Sequence, residues 1–437
     1  MLSGGILFLG RRDLVSGCHR ERRRAIEACI VPLSIRYAAG QIKSRQHPKE
    51  PMMPPIATAR QTATSVIPRT ARAAVLTAQG GPFAVRELPV PNVAPRGVLL
   101  RMALGGVCAT DAHIFKGDWP GFTFPAVLGH ENCAWIARLG EEIATDFLGE
   151  PLTEGDLVIP RVAGCGRCWY CLCGGAMRWC PNRKSAPGVG GGLALSGGWA
   201  EYMYIEADSL QMFKTIAPPD VAVLTEPMAT CVGGIERSQL RLGETVVVQG
   251  AGPIGLLTAA CARLAGAGRL IMVGGPADRL ELAREFGVDL TIDIDAVRDP
   301  AERSRQVLAA TPRGFGADLV LGCVGHPSAV GEGLQYLRPG NARMVEIGNA
   351  TGGGSFPLRP SPDLVYKNST LHGFWGTTTE HWISALRVLE RRALPFGKVV
   401  THRLPLDRAA DAIAALNGDY RIDGRTALKV AIEPGAK

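Results

Sequence analysis

From Thr70 onward apolar residues come in short runs separated by glycine and proline, and the runs at 73–76, 83–88 and 97–102 predict strands. That texture continues to about Ile216. From Glu244 the pattern changes: 246–249 predicts a strand and 254–264 a helix, and 270–273 with 280–286 repeats the unit. Segments 318–322, 330–337 and 344–347 carry the alternation on. Strand–helix alternation of this kind predicts a parallel sheet with helices on both faces. After His372 come one more helix, 380–394, and short strands at 399–404 and 427–432, so the last segment is expected to rejoin the first domain. The expected fold class is α/β. A β-rich domain is built from residues 70–225 and 371–437, a doubly wound parallel sheet from 226–370, and residues 1–69 form a basic extension expected to be disordered.

Composition narrows the picture. The 437 residues are 46% apolar and 20% charged, as in an ordinary globular protein, and no internal repeat or low-complexity stretch interrupts them. The net charge of +8 is unevenly spread: residues 1–72 hold 13 Lys/Arg against 4 Asp/Glu, and the remainder holds 35 against 36. A neutral body lacks the basic face that nucleic acid requires, so no nucleic-acid partner is expected. The extension pairs an apolar start (Gly5 to Gly10) with following arginines, the reverse of a secretory signal. It reads either as an organellar leader or as sequence upstream of a start at Met52 or Met53. Neither reading gives it chemistry. The 18 uncharged residues 245–262 are broken by Gly250, Gly252, Pro253 and Gly255, so no membrane span is expected there. Five of the 12 cysteines lie between Cys165 and Cys180, which suits metal ligands in a reducing, cytoplasmic compartment better than dispersed disulfides.

Gly250-Ala251-Gly252-Pro253-Ile254-Gly255 follows the predicted strand and opens the predicted helix. In that context Gly250 permits the tight turn, Gly252 lets backbone approach a pyrophosphate, and Gly255 lets helix and strand pack closely. Pro253 and Ile254 begin the helix whose N-terminal N–H groups face the anion. A nicotinamide dinucleotide, NAD or NADP, is the expected cofactor. The second strand should end in an acid that grips the ribose 2′-hydroxyl. Gly274 stands there instead, followed by Gly275, Pro276, Ala277, Asp278 and Arg279. Without the acid a 2′-phosphate is not repelled, and Arg279 either reaches it or is a solvated residue of the next helix. Weak discrimination between the dinucleotides is the expectation.

Two groups of soft and borderline ligands remain. Cys165, Cys168 and Cys171, with Cys180 beyond, have the rhythm of a loop wrapped around tetrahedral zinc, and four thiolates would leave no position for substrate. Cys173 leaves the identity of the third ligand open. The second group is scattered: Cys108, Thr110, Asp111, His113, then His130-Glu131, then Glu226-Pro227. It offers a thiolate, an imidazole and a carboxylate, enough for a catalytic zinc with an open fourth position.

Taken in order, residues 106–117 (GVCATDAHIFKG), Gly129-His130-Glu131, the cysteine lobe and the glycine loop resemble the zinc-dependent medium-chain alcohol dehydrogenases over roughly residues 70–432. The resemblance implies a GroES-like catalytic domain joined to a Rossmann domain, and two zinc ions per chain. It gives Cys108 and His130 to the catalytic zinc. Leu224-Thr225-Glu226-Pro227-Met228 is similar to the polyol and sorbitol branch, which makes Glu226 the third ligand and leaves Glu131 beside the metal. It further implies that Thr110 bonds the substrate oxygen, that His113 ends a proton path at solvent, and that Asp111 orients His130. Lys429 is implied to meet the cofactor pyrophosphate. In the lobe, Cys171 to Cys180 leaves eight residues, one more than is usual, and counting from Cys173 leaves six. Cys171 keeps the rhythm, with a bulge at Gly174-Gly175.

The expected reaction is hydride transfer between an alcohol and NAD(P). Trp119, Phe122 and Trp375 are candidates for an apolar pocket, favouring a secondary or cyclic alcohol; a polyol, amino alcohol or threonine is the alternative. A metal-free quinone or enoyl reductase would lack Cys108, His130 and the lobe, and a zinc ribbon would lack the glycine loop. A homodimer or homotetramer is expected.

Overall fold

The computed structural model describes residues 66–436 apart from 120, 174–176, 183–186 and 349–352. The expected extension up to residue 65, the start at Met52 or Met53, and the bulge at Gly174-Gly175 lie outside the described residues. Thr245–Gln249 (TVVVQ) is buried at every position, the condition of a central strand covered on both faces. Arg269–Gly274 pairs with it on one side and Leu319–Gly322 on the other, both parallel. Leu290–Asp293 extends one edge; Arg343–Glu346 and then Thr370–Gly373 extend the other. The order runs outward in both directions from the first strand, so a crevice opens at its C-terminal end, where such sheets take their ligands.

The boundary expected at residue 370 falls inside the sixth strand. Thr370–Gly373 (TLHG) bonds in register with Arg343–Glu346, and the helix Thr379–Glu390 packs against Thr225–Ser238. A short, half-exposed edge strand has no apolar run to announce it.

The second body is antiparallel except at one edge, where Val400–Leu404 runs parallel to Lys429–Ile432. Its long strand Gly97–Gly106 pairs with Glu131–Leu139, Tyr202–Glu206 and the C-terminal strand Lys429–Ile432. Leu157–Val162, Leu210–Lys214 and Val400–Leu404 complete this sheet, and a smaller one joins Phe83–Pro89, Thr70–Leu76 and Ala126–Val127. Trp199 is fully buried in the core beneath them, 5.8 Å from the Phe83 ring. Among the described residues no helix is long and apolar enough to cross a membrane.

Candidate active site and metal positions

The scattered ligands meet because of one register. Gly106, the last residue of its strand, pairs with Glu131, the first of the next. Two residues beyond Gly106, Cys108 caps the helix Ala109–Lys116, and its N–H donates to Asp111 Oδ2 at 2.8 Å. The ligand atoms of Cys108, His130 and Glu131 thereby lie within 4.8 Å of one another. A Cβ at Gly106 would stand 2.2 Å from Glu131 Oε2, so glycine there makes room for the carboxylate. Asp111 is fully buried, with Oδ1 3.5 Å from His130 Nδ1. Burial would lower the His130 pKa, but the Asp111 carboxylate overrides it and holds the imidazole well above its ordinary value. Neither of those facing atoms has a well-formed hydrogen bond. A thiol, an imidazole and a carboxylate converging in a buried pocket suit zinc with an exchangeable position, and a buried acid behind the histidine is the usual support for such a ligand.

Glu226, expected as third ligand, lies outside this tight group, and Glu131 lies within it. Glu226 starts the helix Thr225–Ser238 and lines the same cavity as Thr110 and His130. Burial raises its pKa, the nearby Glu131 and Asp111 charges add to the rise, and His130 and Lys429 oppose it. Lys429 departs from expectation. It is 4% exposed, and its Nζ donates to Glu131 Oε1 at 2.6 Å and Val107 O at 3.1 Å. The strand pairing Ala431 with Gly106 carries it there, so its ammonium is paired with Glu131. Thr110 Oγ1 lies 3.8 Å from Cys108 Sγ. His113 is partly exposed, with Nδ1 3.2 Å from Asp118 Oδ2, at the outer end of the same short helix.

The cavity beside Thr110, His130 and Glu226 has aromatic walls from Trp119, Trp375 and Trp382. Phe122 is not among its lining; it is partly buried, packing on Phe124 at 5.0 Å against the core. Two lining cations escaped the sequence reading. Arg161 lies over Trp382 at 5.3 Å and donates to Thr379 Oγ1 at 2.8 Å. Arg178 lies over Trp375 at 4.1 Å and Trp119 at 5.1 Å. No local motif marks either arginine; the tryptophans with which they stack were the available signal.

In the lobe, the sulfurs of Cys165, Cys168, Cys171 and Cys180 lie within 4.8 Å of one another, while Cys173 is exposed and outside the group. The Arg167 N–H and the Asn182 side chain hold the Cys165 thiol down at about 6. Burial, with the Cys168 and Cys180 sulfurs, pushes Cys171 up to about 11. Four sulfurs this close cannot all ionise cheaply without a cation between them, and they suit a closed zinc site.

The glycine loop lies at the crevice of the parallel sheet. Gly250 has φ +97°, a left-handed conformation, and a Cβ at Gly255 would lie 1.9 Å from Gly250 O. A Cβ at Gly252 would meet nothing within 4 Å, which leaves open space at the N-terminus of Pro253–Leu264. That space suits the pyrophosphate of a dinucleotide. Arg279 points elsewhere. It is buried, its Nη2 donates to Ala427 O, and its guanidinium stacks 5.0 Å from the Tyr420 ring, so it is neither solvated nor at the ribose.

Comparison with known proteins agrees with this geometry. A family model described as the alcohol dehydrogenase GroES-like domain matches residues 94–217, and one described as zinc-binding dehydrogenase matches 253–391. The chain is 33% identical over 354 residues to 5-exo-hydroxycamphor dehydrogenase of Pseudomonas putida, covering 78% of this chain and 94% of that one. It is 30% identical over 355 residues to sorbitol dehydrogenase of Halalkalibacterium halodurans, covering 78% and 96%. A solved alcohol dehydrogenase from Thermotoga maritima superposes with a TM-score of 0.76 at 30% identity, covering 84% of this chain and 99% of that one. With family models on both bodies and relatives matched almost end to end, the chain belongs to the zinc-dependent medium-chain alcohol dehydrogenases and is an NAD(P)-dependent alcohol oxidoreductase.

Proposed function

We propose that this enzyme transfers hydride between a secondary or cyclic alcohol and NAD(P), with Cys108, His130 and Glu131 holding the catalytic zinc and Glu226 facing the metal from the cavity side. The observation that carries the reading is the 4.8 Å group of Cys108, His130 and Glu131 opening onto a cavity walled by Trp119, Trp375 and Trp382. Zinc held there supplies Lewis acidity at the substrate oxygen, and the nicotinamide carries the hydride. Asp111 holds the His130 ring in place and keeps negative charge behind it. Thr110 accepts the proton of the substrate hydroxyl and passes it outward toward His113 at the surface. The three indoles exclude water and orient an apolar ring against the zinc side. Cys165, Cys168, Cys171 and Cys180 hold a second, structural zinc, and the loop Gly250 to Gly255 holds the dinucleotide. The catalytic body consists of residues 70–225 with the segment after Glu390, and the dinucleotide-binding body lies between.

A second reading has its own support. Arg161 and Arg178 line the cavity with Glu226, which suits a substrate carrying polar or charged groups, as in a polyol, amino alcohol or threonine. Turnover of a broad alcohol panel by the zinc-loaded enzyme tests both. A kcat/KM for cyclic secondary alcohols at least about tenfold above that for polyols and threonine, about 1.4 kcal/mol in the transition state, supports the first reading. The reverse order supports the second.

A further inference from the structure

The end of the second strand is bare where this fold normally presents an acid to the ribose. It also has no space for one: a Cβ at Gly274 would lie 2.7 Å from Ala251 N and 3.0 Å from Ala251 Cβ. The next strand supplies carboxylates instead. Asp293 ends Leu290–Asp293 and pairs in parallel register with Gly274, and the chain is tied there by Ile294 N–H donating to Gly274 O at 2.9 Å. A Cβ at Gly275 would come 3.1 Å from Asp295 Oδ2 and 3.5 Å from Asp293 Oδ1, so two carboxylates border the position that Gly275 leaves without a side chain. Asp293 Oδ1 also accepts from Asp295 N–H at 2.8 Å, which holds the two side chains as one turn. Of the cations nearby, Arg279 is turned onto Ala427 and Tyr420, and Arg298 bonds the Asp295 carbonyl through Nε at 3.4 Å.

We infer that Asp293 and Asp295 replace the missing acid. They accept the adenosine ribose 2′-hydroxyl and repel a 2′-phosphate, which makes the enzyme selective for NAD. The inference rests on the dinucleotide site proposed at Gly250 to Gly255, and it replaces the weak discrimination expected from Gly274 alone. A charged acceptor moved to the neighbouring strand acts on the same ribose because the strand ends lie side by side along the crevice. It also explains how a glycine pair persists at this point without leaving the 2′-phosphate unopposed.

Direct titration of the zinc-loaded enzyme with NADH and with NADPH, followed by nicotinamide fluorescence, reads the dissociation constants without turnover. Wild type is expected to bind NADH at least about tenfold more tightly than NADPH, within the range of a hydrogen bond to a charged group. Asp293→Asn/Asp295→Asn keeps the turn's acceptor and should narrow that ratio to about threefold or less, chiefly by tightening NADPH. Asp295→Lys changes an exposed residue, so the fold is not at risk, and it should tighten NADPH further. Equal affinities in wild type, or an unchanged ratio in both variants, would overturn the inference. Failure of wild type to bind either dinucleotide would instead bring down the underlying site.

Discussion

Besides Asp111, two carboxylates lie near the His130 imidazole, and their surroundings give them different work. Glu131 is 1% exposed, sits in the ligand group and is paired with the buried Lys429. Glu226 is half-buried, faces the cavity and is pushed by burial toward its neutral form. A carboxylate oxygen already close to a sulfur and an imidazole is the better zinc ligand; an acid whose charge burial disfavours is the better partner for an exchanging water or alcohol. Glu131→Gln is therefore expected to bring metal content from two zincs toward one. Glu226→Gln should keep both ions and lower kcat by about tenfold or more, as other perturbations around metal ligands do. Metal analysis beside steady-state kinetics on the two variants checks the assignment, and loss of zinc from Glu226→Gln alone would reverse it. Lys429 gives a second test. Replacing it with Met strands a buried carboxylate, and breaking such a pair costs about 3–5 kcal/mol. Urea unfolding of the chelator-treated protein should show a loss of that size in Lys429→Met and partial recovery in Glu131→Gln/Lys429→Met.

Between strand and helix, the glycine loop works by contact distance. The Gly255 position has no room for a methyl group, because the Gly250 carbonyl oxygen already stands where a Cβ would go. Gly255→Val must push the helix Pro253–Leu264 away from Thr245–Gln249, and overpacking of this kind costs about 1–3 kcal/mol. The expected result is a dissociation constant for NADH raised at least tenfold with both zincs retained, about 1.4 kcal/mol; unchanged binding would show that the loop does not touch the dinucleotide. The same elements show what a sequence reveals. Thr245–Gln249, Pro253–Leu264 and Gly97–Gly106 were legible because long apolar runs or strict alternation leave one burial pattern available. Leu290–Asp293 and Thr370–Gly373 were missed because edge strands are short and half polar, and with them went the sixth strand and the carboxylates beside Gly275. Cys108 and His130 were legible through motif context, and so was the lobe. The true neighbours of Lys429 and Arg279 were not, because they depend on contacts across more than a hundred residues, which no local spacing encodes.

At the scale of the whole molecule the cysteine lobe reaches the cavity that His130 lines, through Arg178. The catalytic group offers three protein ligands and an open side; the lobe offers four sulfurs and none. A chelator should therefore remove the catalytic ion first, since a ligand can enter its shell while the rest still hold. Removing the second ion has a different consequence. Between Cys171 and Cys180 the chain forms the short turn Met177–Trp179, from which Arg178 stacks on Trp375 and Trp119 in the cavity wall. Trp179 adds an edge contact to Trp375 at 5.7 Å. The lobe thus builds part of the cavity wall, and a zinc ion held by its four sulfurs would fix that wall as well as its own loop. Stacking of a guanidinium on an indole contributes about 0.5–2 kcal/mol, so losing the arrangement should raise KM for a bulky alcohol several-fold. The glycine loop Gly250 to Gly255 is not among these residues. Cys168→Ser, which breaks the four-sulfur set, is accordingly expected to retain one zinc and to bind NADH as wild type does. Its KM for the best cyclic alcohol should rise more than its kcat falls, and Arg178→Ala should reproduce that KM effect with both zincs present. If Cys168→Ser lowers kcat alone, or if Arg178→Ala leaves KM where it was, the lobe stabilises the fold without shaping the substrate wall.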